Sequence, residues 1–366
     1  MRRRSRKADT DFKAAARSWF ESNPGDRKPT MGDVARLAGV SKKTVSRVIN
    51  DSPQVNDATR AGIKALISDI GYKPDPQARG FAFRRSYLVG MIYDNPTPQY
   101  VVNVQLGILD GLKGTDFELV VHPCNRNSDT FIEDARKFIE MQKLYGVVLT
   151  PSVSEDERLA ETLREIGCAY VRVASVELDM QRRMIVTNDR AGSREAARHL
   201  AGLGHSRIAM IAGRRSFRSA HERQSGFDDG LAEFGFRPPK RYLLQGDYTF
   251  ESGLARGADL LDLDPPPTAV FAANDEMAAG VLQALHVAGL KAPEDLSIVG
   301  FDDFETATRV WPRLTTVRTP ARKIGLLAAQ SLLAFGDEEV PPGPNQTIPE
   351  LIVRESTREL SSPQAT

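Results

Sequence analysis

Near the start of the chain apolar positions recur three and four residues apart, in short bursts separated by turn residues. Val34, Leu37 and Ala38 form a first helical face; Thr30 with Asp33 three residues on resembles a capping box ahead of it, and Gly39 stops it. Ser41 then caps a second short helix, with Val45, Val48 and Ile49 facing inward and Lys42, Lys43, Ser46 and Arg47 outward. A third helix is capped by Asn56, carries Ile63, Leu66, Ile67 and Ile70 at helical spacing, and ends at Gly71 with Pro74 just beyond. Together these predict a small helical core that folds on its own.

Pro74-Asp-Pro76 breaks the pattern, and residues 77–85 read as a short basic linker. Beyond it, apolar runs at 87–93, 117–121, 146–150, 169–173, 208–211, 269–272 and 297–301 predict strands. Helical patterns alternate with them at 101–112, 130–144, 193–203, 223–234 and 276–288, which predicts a parallel α/β body of two lobes. Residues 1–28 are basic and polar and are expected to form a flexible extension. Phe12, Ala15, Ala16, Trp19 and Phe20 could nevertheless line one helical face, so a short ordered helix or an extra DNA-contacting arm is the alternative. Residues 355–366 are expected to be a tail, without the leucine heptads of a tetramerising coil.

Composition adds one thing the pattern does not. The 366 residues are 41% hydrophobic and 27% charged, ordinary for a multidomain globular chain, and the net charge is only +1. The charge is unevenly spread: residues 1–85 hold 19 Lys and Arg against 9 Asp and Glu, and the rest is net acidic. A basic end on an acidic body points to nucleic acid. Cys124 and Cys168 cannot build a disulfide framework, and their spacing to histidines fits no zinc site. The basic start lacks a following apolar segment and no run of about 18 apolar residues occurs, so no membrane partner and a cytoplasmic, nucleoid-associated place are expected. No nucleophile elbow, phosphate loop or zinc-protease helix appears, and His122, His199, His205, His221 and His286 are scattered singly. Neither an enzyme nor a cofactor or metal is expected.

Candidate chemistry falls in two places. A helix–turn–helix reader places the N-terminal part of its second helix in the major groove, and Lys42, Lys43 and Arg47 stand where donors to guanine edges belong. Thr30, Thr44, Ser46, Asn50 and Thr59 are candidate phosphate contacts. In the body, a ligand pocket would form where strands end, which singles out Asp94, Tyr100, Thr150, Arg223 at the opening of a helix, Tyr248, Asn274 and Asp302. Carboxylates, an arginine, an amide and aromatic faces suit a carbohydrate. Asn274 and Asp275 could instead cap the next helix, Asp303 could support a turn, and Arg172 could be an inner salt-bridge partner or a ligand anchor.

The run Asp33-Val-Ala-Arg-Leu-Ala-Gly-Val-Ser-Lys-Lys-Thr-Val-Ser-Arg-Val-Ile-Asn50, followed by Gly71-Tyr-Lys-Pro-Asp75, closely resembles the DNA-binding domain of the lactose/galactose repressor (LacI/GalR) family. The likeness extends from about residue 30 to residue 354. It implies an N-terminal all-α helix–turn–helix domain at 29–74, a hinge helix or linker at 75–85, and an α/β two-lobed effector-binding and dimerisation domain at 86–354, similar to type I periplasmic binding proteins. It further implies a homodimeric repressor on a pseudo-palindromic double-stranded operator, its affinity modulated by a small effector such as a sugar. An activator or dual regulator remains the alternative within the family, and a solute-binding sensor or a sugar-active enzyme outside it. By the same resemblance, Arg223 in Arg-Gln-Ser-Gly-Phe227 matches the family's effector-binding arginine, Asp302 its ligand-binding aspartate and Tyr248 its aromatic wall. Ala78, Arg79 and Phe81 fall in the hinge that wedges into the minor groove; Phe81 stands where leucine is usual and Gly80 where serine is. Phenylalanine is physically suited to unstack a base step.

Overall fold

The computed structural model describes residues 12–23, 27–49, 54–73, 86–335 and 345–360, in two units, Met1–Ser86 and Tyr87–Thr366. Among the described residues the first unit contains four helices: α1 (Phe12–Ser22), α2 (Met31–Leu37), α3 (Lys42–Ile49) and α4 (Asp57–Asp69). The caps are those the turn residues require. Thr30 and Asp33 form the reciprocal box on α2, Ser41 Oγ accepts from Thr44 N at 3.1 Å, and Asn56 Oδ1 accepts from Thr59 N at 2.8 Å. Gly39 and Gly71 take φ of +63° and +68°, the left-handed stop for which glycine has no steric penalty. Val34, Val45, Val48, Ile63 and Leu66 are fully buried in one shared core.

Residues 12–22 depart from the expected flexible extension. They form α1, and the apolar face at Phe12, Ala15, Ala16 and Trp19 is the reason: Ala16 and Trp19 are buried in the same core as α2–α4. Asn50 and the hinge candidates Ala78, Arg79 and Phe81 lie outside the described residues.

Among the described residues the second unit holds two sheets. One is parallel, in the order β2 (Glu118–Pro123), β1 (Leu88–Tyr93), β3 (Gly146–Leu149), β4 (Ala169–Ala174), β5 (Met184–Val186). The other runs β11 (Glu350–Ile352), β10 (Thr315–Arg318), β9 (Ser297–Asp302), β8 (Ala269–Ala272), β6 (Ile208–Ala212), β7 (Leu243–Gln245), with only β11 antiparallel. Helices α5 (Pro98–Leu112), α6 (Phe131–Gln142) and α7 (Glu157–Glu165) belong to the first lobe, and α8 (Asp189–Gly202), α9 (Arg218–Ala232), α10 (Phe250–Leu261), α11 (Asp275–Val287) and α12 (Glu305–Arg309) to the second. Helix α13 (Ala321–Leu333) returns to the first lobe and packs on α5. The chain therefore changes lobe after β5, after β10 and again before β11. Two of these crossings are bonded to each other: Val186 N donates to Asn345 O at 2.6 Å, Thr347 N to Val186 O at 2.9 Å, and Asn188 Nδ2 to Thr347 O at 2.8 Å.

The expected tail at 355–366 needs correction for its first half. Ser356 is fully buried, its Oγ donates to Ile298 O at 2.6 Å, and Leu360 N donates to Leu203 O at 2.8 Å, so residues through 360 finish the second lobe. Helix α9 also starts earlier than expected, at Arg218, which puts Arg223 in its second turn rather than at its opening.

Helices α5 and α13 approach closely because each offers a glycine to the other. A Cβ on Gly107 would lie 1.9 Å from Arg322 O, and one on Gly325 2.1 Å from Val104 O. This leaves the opposite face of α5 outward, with Val102, Leu106 and Leu109 exposed at helical spacing. Overpacking such a contact costs about 1–3 kcal/mol. Gly325→Ala should therefore lower the melting temperature of the second unit by about 3–10 °C, read by calorimetry; an unchanged melting temperature would mean the helices have room to part.

Candidate functional site

The candidate DNA-reading residues of the first unit lie on α3. Lys42 and Lys43 are exposed in its first turn, and Arg47, half-buried, follows Lys43 by one turn on the same side. The Lys42 stem crosses toward α2, where its Cε would stand 3.3 Å from a Cβ on Gly32. Thr30 is occupied by its cap: its hydroxyl donates to Asp33 Oδ2 at 2.6 Å. That bond, with Arg36 and Arg27 beside it, holds the Asp33 carboxyl below the usual carboxylate range despite burial. Thr44 Oγ1 pairs with Ser41 Oγ at 3.0 Å, and Thr59 sits in the first turn of α4. All of these belong to helix starts, where unpaired backbone N–H groups attract phosphate.

In the second unit a cleft open to solvent lies between the lobes, and four of the residues singled out from sequence line it: Tyr100, Arg223, Tyr248 and Asp302. Arg223 is the centre. Its Nε donates to Asp189 Oδ1 at 2.8 Å, its Nη1 to Ala273 O at 2.5 Å and its Nη2 to Asp302 Oδ1 at 3.4 Å, while the guanidinium lies 3.7 Å from the Phe301 ring centroid. Burial opposes its charge, but Asp189 and Asp302 outweigh that and raise its pKa above the ordinary arginine value. Burial likewise pushes the Asp302 carboxyl up, with Arg223 pulling against it. The Tyr100 hydroxyl is buried without a hydrogen-bond partner, and burial raises its pKa.

Backbone geometry concentrates here too. Tyr248 and Asp302 both have positive φ, +74° and +105°, conformations that cost non-glycine residues roughly 1–3 kcal/mol and persist where surroundings enforce them. The ring of Tyr248 stands where a Cβ on Gly213 would be and meets Phe217 edge-on at 5.7 Å. Thr187 and Thr319, from two of the lobe crossings, also line the cavity; Thr187 bonds Asp189 and Thr319 Oγ1 bonds Asp302 Oδ1 at 3.4 Å. A second set of contacts joins the lobes: Arg126 Nη1 donates to Ser152 O at 3.0 Å and Ser216 O at 3.4 Å, and Arg218 N donates to Glu155 Oε2 at 3.1 Å.

Three candidates do not line this cavity. Asp94 accepts from Arg126 N at 3.2 Å, while its neighbour Asn95 reaches the cavity. Thr150 is fully buried ahead of Pro151, which takes the lining position. Asn274 caps α11, accepting from Met277 N at 2.9 Å and donating to Tyr248 O at 2.8 Å, so it holds the aromatic wall from behind. Asp189, Thr187, Phe217, Ser219 and Thr319 were not singled out from sequence. Asp189 follows the three-residue strand β5, too short to show a strand pattern, and Phe217 and Ser219 precede the point where the helix was expected to begin.

The open alternatives resolve toward structure. Arg172 is an inner salt-bridge partner, its Nη1 on Glu157 Oε2 at 2.9 Å and its Nε on Ser154 O at 2.7 Å. Asp303 anchors Arg318 and Arg354 at 2.8 and 2.6 Å. His205 bridges Thr268 Oγ1 at 2.9 Å and Arg358 O at 3.1 Å. Asp275 braces the loop after β9: it accepts from Thr316 Oγ1 at 2.6 Å and Phe304 N at 3.0 Å. Among the described residues no helix is long and apolar enough to cross a membrane, and no cluster of His, Cys, Asp and Glu could hold a metal.

Residues 30–75 match the family described as bacterial regulatory proteins, lacI family, and residues 197–357 match the periplasmic binding protein-like domain. The chain is 31% identical over 342 residues to the probable HTH-type transcriptional repressor ExuR of Bacillus subtilis (strain 168), which covers 91% of this chain and 99% of that one. Among solved structures it resembles the lac repressor dimer bound to operator and the anti-inducer ONPF, with TM-score 0.74 and 26% identity over 91% of this chain and 100% of that one. It also resembles the transcriptional regulator CelR–cellobiose complex, with TM-score 0.67 and 31% identity over 90% and 100%.

The buried brace gives a pH test. Burial pushes the Asp275 pKa well above the usual carboxylate value, the Asp302 charge adding to it. A group whose native pKa is raised contributes its full stability below the unfolded value and loses it as pH rises through the native one. Asp275→Asn should thus gain in melting temperature relative to wild type between about pH 5 and pH 8. A difference that stays flat, or shrinks, contradicts a strained buried carboxylate.

Proposed function

The chain belongs to the lacI family of bacterial regulatory proteins and is a DNA-binding transcriptional regulator; on that premise we propose a homodimeric repressor whose hold on a pseudo-palindromic operator is set by a small neutral carbohydrate bound between the lobes. What carries this reading is the pairing, in one chain, of an exposed cationic helix start on α3 with a buried, mixed-charge cavity containing an unpartnered hydroxyl. In this reading Lys42, Lys43 and Arg47 meet base edges, Thr30, Thr44, Ser46, Asn50 and Thr59 meet phosphates, and Ala78, Arg79 and Phe81 form the minor-groove wedge.

The ligand class follows from the balance of charge. Arg223 is the cation among the described lining residues, and it is already shared by Asp189 and Asp302. A phosphate or carboxylate on the ligand would face two carboxylates with no unshared positive charge. A sugar hydroxyl, both donor and acceptor, can pair with Tyr100 and share the Asp–Arg–Asp row while its ring face packs on Phe217 or Tyr248. The dimer is supported by symmetry and by surface: two reading heads on a two-fold axis match a pseudo-palindrome, and the Val102, Leu106 and Leu109 stripe is an apolar face for a second copy. Ligand would act by shifting lobe closure and with it the spacing of the two linkers. The place of action is the cytoplasm, on the nucleoid.

Selection of random double-stranded DNA on the full-length protein at about 0.15 M salt tests the reading, because specificity separates it from loose electrostatic binding. An enriched pseudo-palindrome is expected. On that sequence Lys43→Ala and Arg47→Ala should each lose about 1–3 kcal/mol of discrimination, roughly 5- to 150-fold. Intact base preference in both variants would remove α3 as the reader.

A further inference from the structure

A second pocket, of about 180 Å³, opens at the edge of the second-lobe sheet, where β7 ends the row and the start of α9 lies against β6. Its floor is apolar: Met210 on β6 and Leu243 and Leu244 on β7 belong to the margin of the second-lobe core. Its rim is polar, with Arg215, His221, Gln224 and Gln245. These rim groups are held in place but not used up. Arg215 Nε donates to Gln245 Oε1 at 3.0 Å, His221 Nε2 donates to Arg215 O at 2.8 Å, and Gln245 Nε2 donates to Gly246 O at 2.8 Å. Among the described residues the two terminal nitrogens of Arg215, Nδ1 of His221 and the Gln224 amide have no hydrogen bond or ion pair. A guanidinium fixed through Nε with both terminal nitrogens free presents the planar fork that fits a carboxylate.

The charge balance is the reverse of that in the cleft between the lobes. There Asp189 and Asp302 share Arg223; here no carboxylate stands among the described lining residues, and Arg215 carries its charge unshared beside an apolar floor. One guanidinium balances a monoanion, whereas a phosphate group near its dianionic form would be left about half neutralised. The space is close to the roughly 150 Å³ that accommodates a benzene ring in a protein interior. The two hollows also stand back to back: Phe217, Ser219 and Arg223 line the cleft, while Arg215, His221 and Gln224 line the pocket. One stretch of chain is thus a wall of both.

We propose that this pocket is a second small-molecule site, for a carboxylate with an apolar body about the size of an aromatic ring. Arg215 takes the carboxylate in its fork, Gln224 and His221 meet any further polar group of the ligand, and Met210, Leu243 and Leu244 cover the ring. The site does not depend on the reading of the cleft or of α3.

The test is isothermal titration calorimetry on the full-length protein, with benzoate, benzyl alcohol and phenyl phosphate as probes. Benzoate is expected to bind at one site per chain, with benzyl alcohol and phenyl phosphate each weaker. Arg215→Gln, a change at an exposed side chain, should keep the melting temperature and weaken benzoate by about 10- to 150-fold, the loss of a charge-assisted pair. Tyr100→Phe, in the cleft, should bind benzoate as wild type does. Four results overturn the proposal: benzoate binding weaker than about 10 mM, phenyl phosphate tighter than benzoate, an Arg215→Gln protein with wild-type benzoate affinity, or a Tyr100→Phe protein that has lost it.

Discussion

A guanidinium withdrawn from water must be answered by opposite charge and hydrogen bonds on every side, and the answer given to Arg223 arranges most of the second unit. Burial of an unpaired ion costs several kcal/mol, so the fold has to bring Asp189, Asp302 and the Ala273 carbonyl to one point. These come from the first residue of α8, the end of β9 and the end of β8, elements far apart in sequence. The positive φ at Tyr248 and Asp302 is the local consequence of aiming a ring and a carboxylate at the same spot. Phe301, stacked under the guanidinium, ties this polar centre to the apolar core through Phe271 and Phe227.

That centre also sits on the hinge. Thr187 and Thr319 belong to lobe crossings and bond the same two aspartates that hold Arg223. Asn345 and Thr347, on the third crossing, are bonded to Val186 beside them. On the proposed function, a ligand in the cavity would touch the segments that join the lobes, while Arg126 and Glu155 join the lobes elsewhere. Two-site coupling in proteins is typically about 1–3 kcal/mol, and a hinge that forms part of the binding site is a direct way to generate it. The glycine contacts between α5 and α13 pack these two first-lobe helices backbone against backbone.

Much of this was legible in the chain, and the illegible part has physical causes. The caps at Thr30, Ser41 and Asn56 and the stops at Gly39 and Gly71 act over three or four residues, so they could be read locally. Arg223, Tyr248 and Asp302 were legible through their setting in a resemblance. Asp189 was not, because it follows β5, whose three residues show no alternation, and because its role depends on an arginine 34 residues away. Helices α7, α10, α12 and α13 were not among the patterns read from the sequence; in α10 and α13, glycines at 253, 257 and 325, weak helix formers, stand where neighbouring helices approach. Asn274 illustrates the converse, a polar residue at a strand end that serves as a cap and reaches the cavity only through Tyr248.

The central claim is that the unpartnered Tyr100 hydroxyl and the Asp–Arg–Asp row take a neutral polyhydroxylated ligand whose binding is felt at the DNA. It is tested most directly by titrating the protein onto its selected operator in the presence of neutral mono- and disaccharides, their phosphates and the corresponding uronic acids, with wild type and Tyr100→Phe side by side. A neutral sugar should shift operator affinity by about 5- to 150-fold. Tyr100→Phe, which removes an oxygen bonded to nothing in the protein, should leave ligand-free operator binding and melting temperature unchanged and require roughly 2- to 12-fold more of that sugar. A response to phosphorylated or acidic sugars alone, or a Tyr100→Phe protein indistinguishable from wild type in its sugar dependence, would contradict it.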